Sequence, residues 1–311
     1  MTGRIVEVAD DRRHLFMWRG FMVIRDTATQ GKSGKLGQVP LDDIAAVIAN
    51  AHGLSYTNNL LVALSERGTP FVLCAANHNA TGMLWPVDGN FQQAKRFDAQ
   101  LAASKPTKKR LWAEIVRCKL QQQAAALDAA GAPSTPLTAL VPKVRSGDPT
   151  NIEAQGARRY WTLLFGSDFR RDREGGDLNA MLNYGYTVLR AATARAVIGA
   201  GLHPTLGLHH RNEGNPMRLV DDLMEPFRPL IDLLVWRLGQ QQESTLTPEN
   251  KRILVHCLYE DMQTSGGTTP AIVCMQRIAV SLAQVFMGDR KKLDLPLPGL
   301  PVALGARLTG S

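Results

Sequence analysis

Two periods of hydrophobic and polar residues run along the chain, and the period changes near residue 90. Arg4 to Val8 alternates, and Leu15 to Ile24 (LFMWRGFMVI) is apolar and aromatic around Gly20. Thr27 to Gly37 is a polar Gly/Ser/Lys turn or loop, and together these stretches predict hairpins. Ile44 to Ile48 is a short apolar segment, Asn58 to Arg67 (NNLLVALSER) reads as a helix that stops at Gly68, and TPFVLCAA reads as a buried strand. Residues 1–81 are therefore expected to form a small N-terminal β-rich domain carrying one helix. The Pro and Gly content of residues 82–90 (GMLWPVDGN) predicts a linker.

Beyond it the apolar positions recur at helical spacing. Phe91–Ala103 and Lys105–Ala130 read as helices, the second with Leu111, Ile115 and Cys118 on one face, until GAPSTP (Gly131–Pro136) breaks it. In Gly147–Phe165, Asp148 before Pro149 predicts a helix start, with Thr150 and Asn151 equally able to cap. On that helix Glu153, Gly156 or Ala157, Tyr160 and Leu164 share a face, which puts a carboxylate on the packed stripe. An inward carboxylate requires a cation: Arg158 or Arg159 is the ordinary candidate and a metal the sharper one. Asp177–Ala200 reads as a long helix with Leu178, Leu182 and Leu189 inside, and with Asn183, Tyr184 and Tyr186 as core polar groups or nucleic-acid contacts. Pro229–Leu238, Thr247–Met262 and Thr269–Met287 complete the helical pattern, and Pro226 biases Glu225 away from the α region, predicting a break there. The expected class is α+β: the β-rich domain, then a larger all-helical catalytic domain over 91–288 and a Pro/Gly-rich tail over 289–311, mobile or docked in extended form.

Composition narrows the class. The chain has 311 residues, 44% hydrophobic and 21% charged, enough for a sizeable core. No run approaches the roughly 18 apolar residues of a membrane span, and the opening MTGRIVEVADDRR lacks a signal-peptide core, so a cytoplasmic protein without membrane contact is expected. Cys74, Cys118, Cys257 and Cys274 are widely spaced and read as reduced, mostly buried thiols. Charge is more informative. Residues 1–90 are balanced, so the net charge of +8 comes from 28 basic against 20 acidic residues in 91–311. Eight basic and two acidic residues fall within 91–120, which points to a polyanionic partner. Lys105, Lys108, Lys109, Arg110, Arg117 and Lys119 are the candidate phosphate contacts of a nucleic acid, a solvated helix face being the plain alternative.

The densest chemistry lies in His203–Asp232, where three histidines (His203, His209, His210) and five carboxylates (Glu213, Asp221, Asp222, Glu225, Asp232) fall within thirty positions. Imidazole and carboxylate without thiolate suit Mn, Mg or Zn. Gly207, Gly214, Pro204 and Pro216 interrupt any continuous helix, which sets the histidines on a loop or at an element end. His14, His52 and His78 are isolated and read as structural or surface residues.

Three blocks then follow in order: NIEAQGARRYW (Asn151–Trp161), LNAMLNYGYTVLRA (Leu178–Ala191) and GLHHRNEGNPMRLVDDLMEPFRPLID (Gly207–Asp232). Their content and order strongly resemble the CRISPR adaptation integrases, endonuclease-like proteins that insert new spacers, and are most similar to the branch accompanying type II systems. The resemblance implies a metal site on Glu153, His210 and Glu225, with Asp222 as a supporting acid and Mg2+ or Mn2+ as the ion. His209 and Asp221 are the nearest rivals of His210 and Asp222, and the sequence does not separate them. It further implies DNA substrates (short duplex fragments and a repeat array), a homodimer formed through the β-rich domains, and a small CRISPR-associated partner protein bridging two dimers. The implied reaction is metal-assisted transesterification by a DNA 3′-hydroxyl. Two other readings remain open at this point: a metal-dependent nuclease acting on branched or single-stranded DNA without joining, and a non-catalytic DNA-binding scaffold.

Overall fold

The structure, a computed structural model, describes residues 4–28, 34–75, 80–84, 86–87, 89–172 and 175–299. His78 and the last residues of the tail, 300–311, lie outside the described residues. The chain divides into two compact units, Met1–Phe91 and Gln92–Ser311.

The first unit contains strands β1 (Arg4–Val8), β2 (Arg13–Trp18), β3 (Phe21–Asp26), β4 (Lys35–Pro40), β5 (Ile44–Ala49) and β6 (Leu54–Tyr56), then helix α1 (Asn58–Glu66) and strands β7 (Phe71–Cys74) and β8 (Ala80–Leu84). One sheet has the order β4-β3-β2-β6; the other, β1-β5-β7-β8, is parallel except for β8. The β2–β3 hairpin turns at Arg19 and Gly20, both at positive φ (48° and 81°), which matches the right-handed twist of the strands. Every residue of β5 is buried, as a central parallel strand requires. Leu15, Met22, Val47, Leu60, Leu64 and Phe71 meet in a single core. α1 ends before Gly68, whose φ of +63° no β-branched residue would accept easily. Two expectations change here. Lys35–Gly37 belongs to β4 rather than to a loop, and Gly82–Leu84 belongs to β8, paired with β7, rather than to a linker.

The second unit is built on helices α2 (Gln93–Ala102), α3 (Lys105–Ala129), α4 (Thr135–Thr138), α5 (Ile152–Phe165), α6 (Leu178–Gly199), α7 (Arg218–Met224), α8 (Arg228–Gln240) and α9 (Pro248–His256). Strands β9 (Asp261–Thr264) and β10 (Gly267–Pro270) and helix α10 (Ala271–Met287) follow. α3 starts where the Ser104 hydroxyl accepts from the Thr107 N–H and Pro106 occupies the first turn. Leu111, Ile115 and Cys118 are buried as their spacing predicts, but so are Lys119, Gln122 and Gln123. A helix buried on more than one face is an interior element, and α5, α7 and α8 gather around it.

The unit is not all-helical. β9 and β10 pair antiparallel through the Ser265–Gly266 turn, inside a stretch read as the end of one helix and the start of the next. The helical run ends at His256 and passes through a 3-10 turn at Cys257–Tyr259, after which Met262 and Thr264 are buried while Gln263 between them is not. That is a strand's period, too short to stand out between two longer helical patterns. The tail is docked as far as it is described: Leu293 donates to Glu114, Asp294 pairs with Arg277, and the Leu297 N–H donates to the Gln263 carbonyl. Cys74, Cys118, Cys257 and Cys274 are buried, as expected. Among the described residues no helix is long and apolar enough to cross a membrane.

Candidate active site

A cleft of about 250 Å³ in the second unit is lined by Lys119 and Gln123 from α3, Glu153, Ala157 and Trp161 from α5, and Arg171 and Tyr186. His210, Glu225, Arg228 and Asp232 complete it. Side chains far apart in sequence meet because three helix termini and one loop converge on the middle of α3.

Glu153 is in the first turn of α5. Asn151, at φ 52°, caps that helix by accepting from the Ala154 N–H, and Asp148 accepts from the N–H groups of Ile152 (2.8 Å) and Glu153 (2.9 Å). Of the three expected candidates Asn151 is the cap, Asp148 adds a second acceptor from outside the helix, and Pro149 precedes the first turn rather than opening it; together the two acceptors fix the backbone that carries Glu153. One turn on, Gly156 permits the close approach of α5 to α3, since a Cβ there would collide with Leu120. The cation facing Glu153 is neither Arg158 nor Arg159, which are exposed. It is Lys119, 2.5 Å from Glu153 Oε1 and 2.6 Å from Glu225 Oε2. Lys119 is only 7% exposed, so it is removed from the phosphate-contact set expected of it. Burial alone would lower its pKa, but Glu225 and Glu153 raise it and keep the ammonium charged.

Glu225 sits at the junction of α7 and α8, where the chain makes a 3-10 turn over Glu225–Phe227. The break expected at Pro226 is there, yet Glu225 itself keeps α geometry (φ −53°, ψ −41°). Its side chain is held by two ion pairs, Lys119 on one oxygen and Arg228 Nε, at 3.0 Å, on the other. Burial would raise the Glu225 carboxyl, but Arg228 and Lys119 outweigh it and hold the pKa at about 2. Deeper in the cleft, Asp232 accepts a very short hydrogen bond from the Tyr186 hydroxyl, and burial pushes Asp232 up to about 7 against the opposing pull of Tyr186 and Arg228. The guanidiniums of Arg228 and Arg171 lie 4.6 and 5.3 Å from the centroid of the Tyr186 ring.

His210 reaches the cleft from the loop before α7, and Asp222 holds that loop. The fully buried Asp222 carboxylate accepts from the N–H groups of Leu208 (2.6 Å), His209 (3.1 Å) and His210 (3.3 Å) and meets His210 Nδ1 at 2.7 Å. With Nδ1–H donating to this carboxylate, the neutral ring keeps its lone pair on Nε2, available to accept a hydrogen bond or ligate a cation. The hydrogen bond to Asp222 raises the His210 pKa, against the effect of burial. Gly207 makes room for the arrangement: a Cβ there would stand 2.9 Å from Asp222 Oδ2.

The rivals separate on geometry. The His209 ring stacks on Trp112 (centroids 4.3 Å apart, 1° between planes) and does not line the cleft. Asp221 pairs with Arg190 at 2.9 Å and accepts from Asn215 at 2.6 Å. His203 packs edge-on against Phe97, and Glu213 is exposed. Of the remaining basic residues, Arg110 pairs with Glu114 and Arg117 donates to the Val144 carbonyl, whereas Lys105 and Lys109 are exposed and Lys108 half-buried. Sequence reasoning missed the interior role of Lys119 and the contribution of Arg228, and it named Tyr186 and Asp232 without assigning either to the site. The available signal was a lone lysine beside the buried face of α3.

The residues fit a hard divalent cation. One imidazole with its second nitrogen pinned and two carboxylates make an N/O donor set without sulfur. Glu225 Oε2, moreover, is buried without a well-formed hydrogen bond. A cation already stands between the carboxylates, but it is an ammonium, and among the described residues no three His, Cys, Asp or Glu side chains are drawn together as a ligand group.

The model of the CRISPR associated protein Cas1 family matches residues 17–256. The chain belongs to the Cas1 family. It is 38% identical over 271 residues, 86% of this chain and 88% of the relative, to a CRISPR-associated endonuclease Cas1 of Neisseria meningitidis. It is 27% identical over 275 residues, 83% and 92% of the two chains, to one of Pyrobaculum aerophilum. Among solved structures, a casposase bound to integration product is similar at a TM-score of 0.78, with 18% identity over 94% of this chain and 92% of that one. A Cas1 protein from Thermotoga maritima gives 0.73 at 16% identity over 92% and 98%. At those identities the structural likeness shows the fold, a mixed α+β Cas1 fold with a strand-rich N-terminal unit and a mainly helical C-terminal one.

Proposed function

We propose that this Cas1 protein is a divalent-metal-dependent DNA integrase of CRISPR adaptation, which joins the 3′-OH ends of short DNA fragments into a repeat array by transesterification. The observation that carries the reading is the convergence of Glu153, His210 and Glu225, from three separated segments, on one cleft of a Cas1 fold. These three residues would hold Mg2+ or Mn2+, with Asp222 orienting His210. When bound, the ion supplies Lewis-acid stabilisation of charge on the phosphate and on the leaving 3′-oxygen. Arg171 adds a positive side chain to the cleft lining, suited to a phosphodiester, and Tyr186 with Asp232 keeps a proton in the cleft. No covalent enzyme intermediate is required.

DNA and a small Cas partner are the proposed partners, supported by structural neighbours described as a casposase bound to integration product and as a Cas6-RT-Cas1–Cas2 complex. The second of these aligns at a TM-score of 0.74 and 16% identity, over 96% of this chain and 36% of that one. A second copy of the chain completes the proposed assembly, which works in the cytoplasm. The word endonuclease in the relatives' names favours one alternative, cleavage without joining.

The test is strand transfer of a labelled short duplex with free 3′ ends into a supercoiled, repeat-bearing plasmid, with the partner protein, in Mn2+ or Mg2+ and then in chelator. Metal-dependent joined product is expected, lost in Glu153→Ala while DNA binding persists. Cleaved but unjoined plasmid would replace this reading with the nuclease, and undiminished joining by Glu153→Ala would remove that residue from the site.

A further inference from the structure

The ammonium between the two carboxylates is a feature the proposed reaction does not use. Lys119 Nζ lies 2.5 Å from Glu153 Oε1 and 2.6 Å from Glu225 Oε2, while Arg228 holds the other Glu225 oxygen at 3.0 Å. Two glutamates and two basic side chains leave this part of the cleft electrically balanced. A divalent ion that took the same carboxylates would meet the ammonium at contact distance, competing for the same oxygen lone pairs and repelled by like charge. Cation and ammonium therefore exclude each other from the space between Glu153 and Glu225.

The structure also holds a place for the ammonium to go. Gln123 stands one turn further along α3, lines the same cleft, and has a buried Oε1 with no hydrogen-bond partner among the described residues. Buried polar groups are nearly always hydrogen-bonded, so an acceptor left without a partner calls for an explanation, and a second state that pairs it is one. Lysine suits such movement, having a point charge on a flexible four-carbon stem, where a guanidinium would be fixed by its planar fork.

We propose that Lys119 is the resident counter-cation of the Glu153–Glu225 pair and is displaced toward Gln123 Oε1 when a divalent ion binds, so that metal affinity is set by the exchange of one cation for another. Lys119 is in these terms a positioning residue: it keeps the carboxylates together before the metal arrives and tunes how readily the metal enters. The inference rests on the proposed metal site.

The experiment is a calorimetric titration of Mn2+ into the full chain at one fixed pH without DNA, for the wild type, Lys119→Met and Gln123→Leu, with the Mn2+-induced rise in Tm as a second readout. Removing the competitor should tighten Mn2+ binding by about tenfold or more. Removing the acceptor of the displaced ammonium should weaken it, and the Tm increments should follow the same order. Equal or weaker binding by a folded Lys119→Met overturns the exchange. If that variant does not fold, Gln123→Leu decides alone, with unchanged affinity counting against displacement and reduced affinity for it. Absence of Mn2+ binding in all three proteins, wild type included, defeats the metal site itself and the exchange with it, a pattern distinct from uniform binding across the three.

Discussion

At the scale of single residues, His210 and His209 differ by one position and point to different surroundings. One is tied to Asp222 at the cleft, the other lies flat on Trp112. The tie has a consequence for pH. The Asp222 hydrogen bond raises the folded pKa of His210 above its unfolded value of about 6.5, so the stability this pair contributes is fully present below that value. It is lost as pH rises through the folded pKa. Asp232, with its carboxyl raised to about 7, adds a slope of the same sign, because its folded form increasingly resists ionisation as pH rises toward that value. Comparison with His210→Ala isolates the histidine: the fall in Tm of the metal-free protein between acid and neutral pH should be shallower in the variant. Parallel Tm-against-pH curves for the two proteins would contradict the pairing. Metal binding runs the other way, since a protonated imidazole is no ligand, and weakens as pH falls below the raised His210 pKa.

At the scale of elements, the loop before α7 is shaped by the α7 carboxylate of Asp222, which satisfies three successive backbone N–H groups. Asp222→Ala removes the acceptor of three donors in a part-buried setting, and its expected effect is a loss of about 1–3 kcal/mol of stability. It should also weaken Mn2+ binding through the freed His210 ring, by about 10- to 100-fold. Denaturant unfolding and Mn2+ titration of the variant measure the two effects, and an unchanged metal affinity would limit Asp222 to a structural role. Much of this level was legible beforehand. The helices around α3, α5, α6 and α8 follow from apolar spacing, and the α5 start from Asn151, three residues past the start that Asp148 and Pro149 suggested. β9 and β10 were not, because four-residue strands carry too few positions for a period of two to outweigh the helical patterns on either side. The α geometry of Glu225 was not, because the turn at Glu225–Phe227 is packed against α3 and the bias of Pro226 is only local.

At the scale of the whole molecule, the charge excess lies in residues 91–311, and its exposed part is smaller than the count of basic residues implies. Lys119 is spent inside, Arg110 and Arg117 have protein partners, and Lys105, Lys108 and Lys109 remain near the start of α3. Positive charge there opposes the helix dipole, and the first turn holds no acidic residue to offset it, so helix stability does not account for these lysines. Replacing all three with Gln should weaken DNA binding for any sequence. It should also reduce the steepness of the salt dependence, by up to roughly 0.9 in log–log slope for each phosphate no longer neutralised. Fluorescence anisotropy over a salt series measures it, and an unchanged slope would place the DNA-binding surface elsewhere.

The division between what was readable in the chain and what was not follows from the range of the forces involved. Periodicity, turn residues and caps act over a few positions, so the β-rich beginning, the change of period near residue 90 and most helices were already present in the order of residues. Glu153, His210 and Glu225 were implied by the resemblance of three motif blocks to a known family, not by periodicity or caps. Which histidine faces the cleft, which aspartate holds it, and that the partner of Glu153 is a lysine 34 positions away depended on packing. Electrostatic pairing in a low-dielectric interior acts between neighbours in space, and only the folded arrangement of α3, α5 and the α7–α8 junction makes Lys119, Glu153 and Glu225 neighbours.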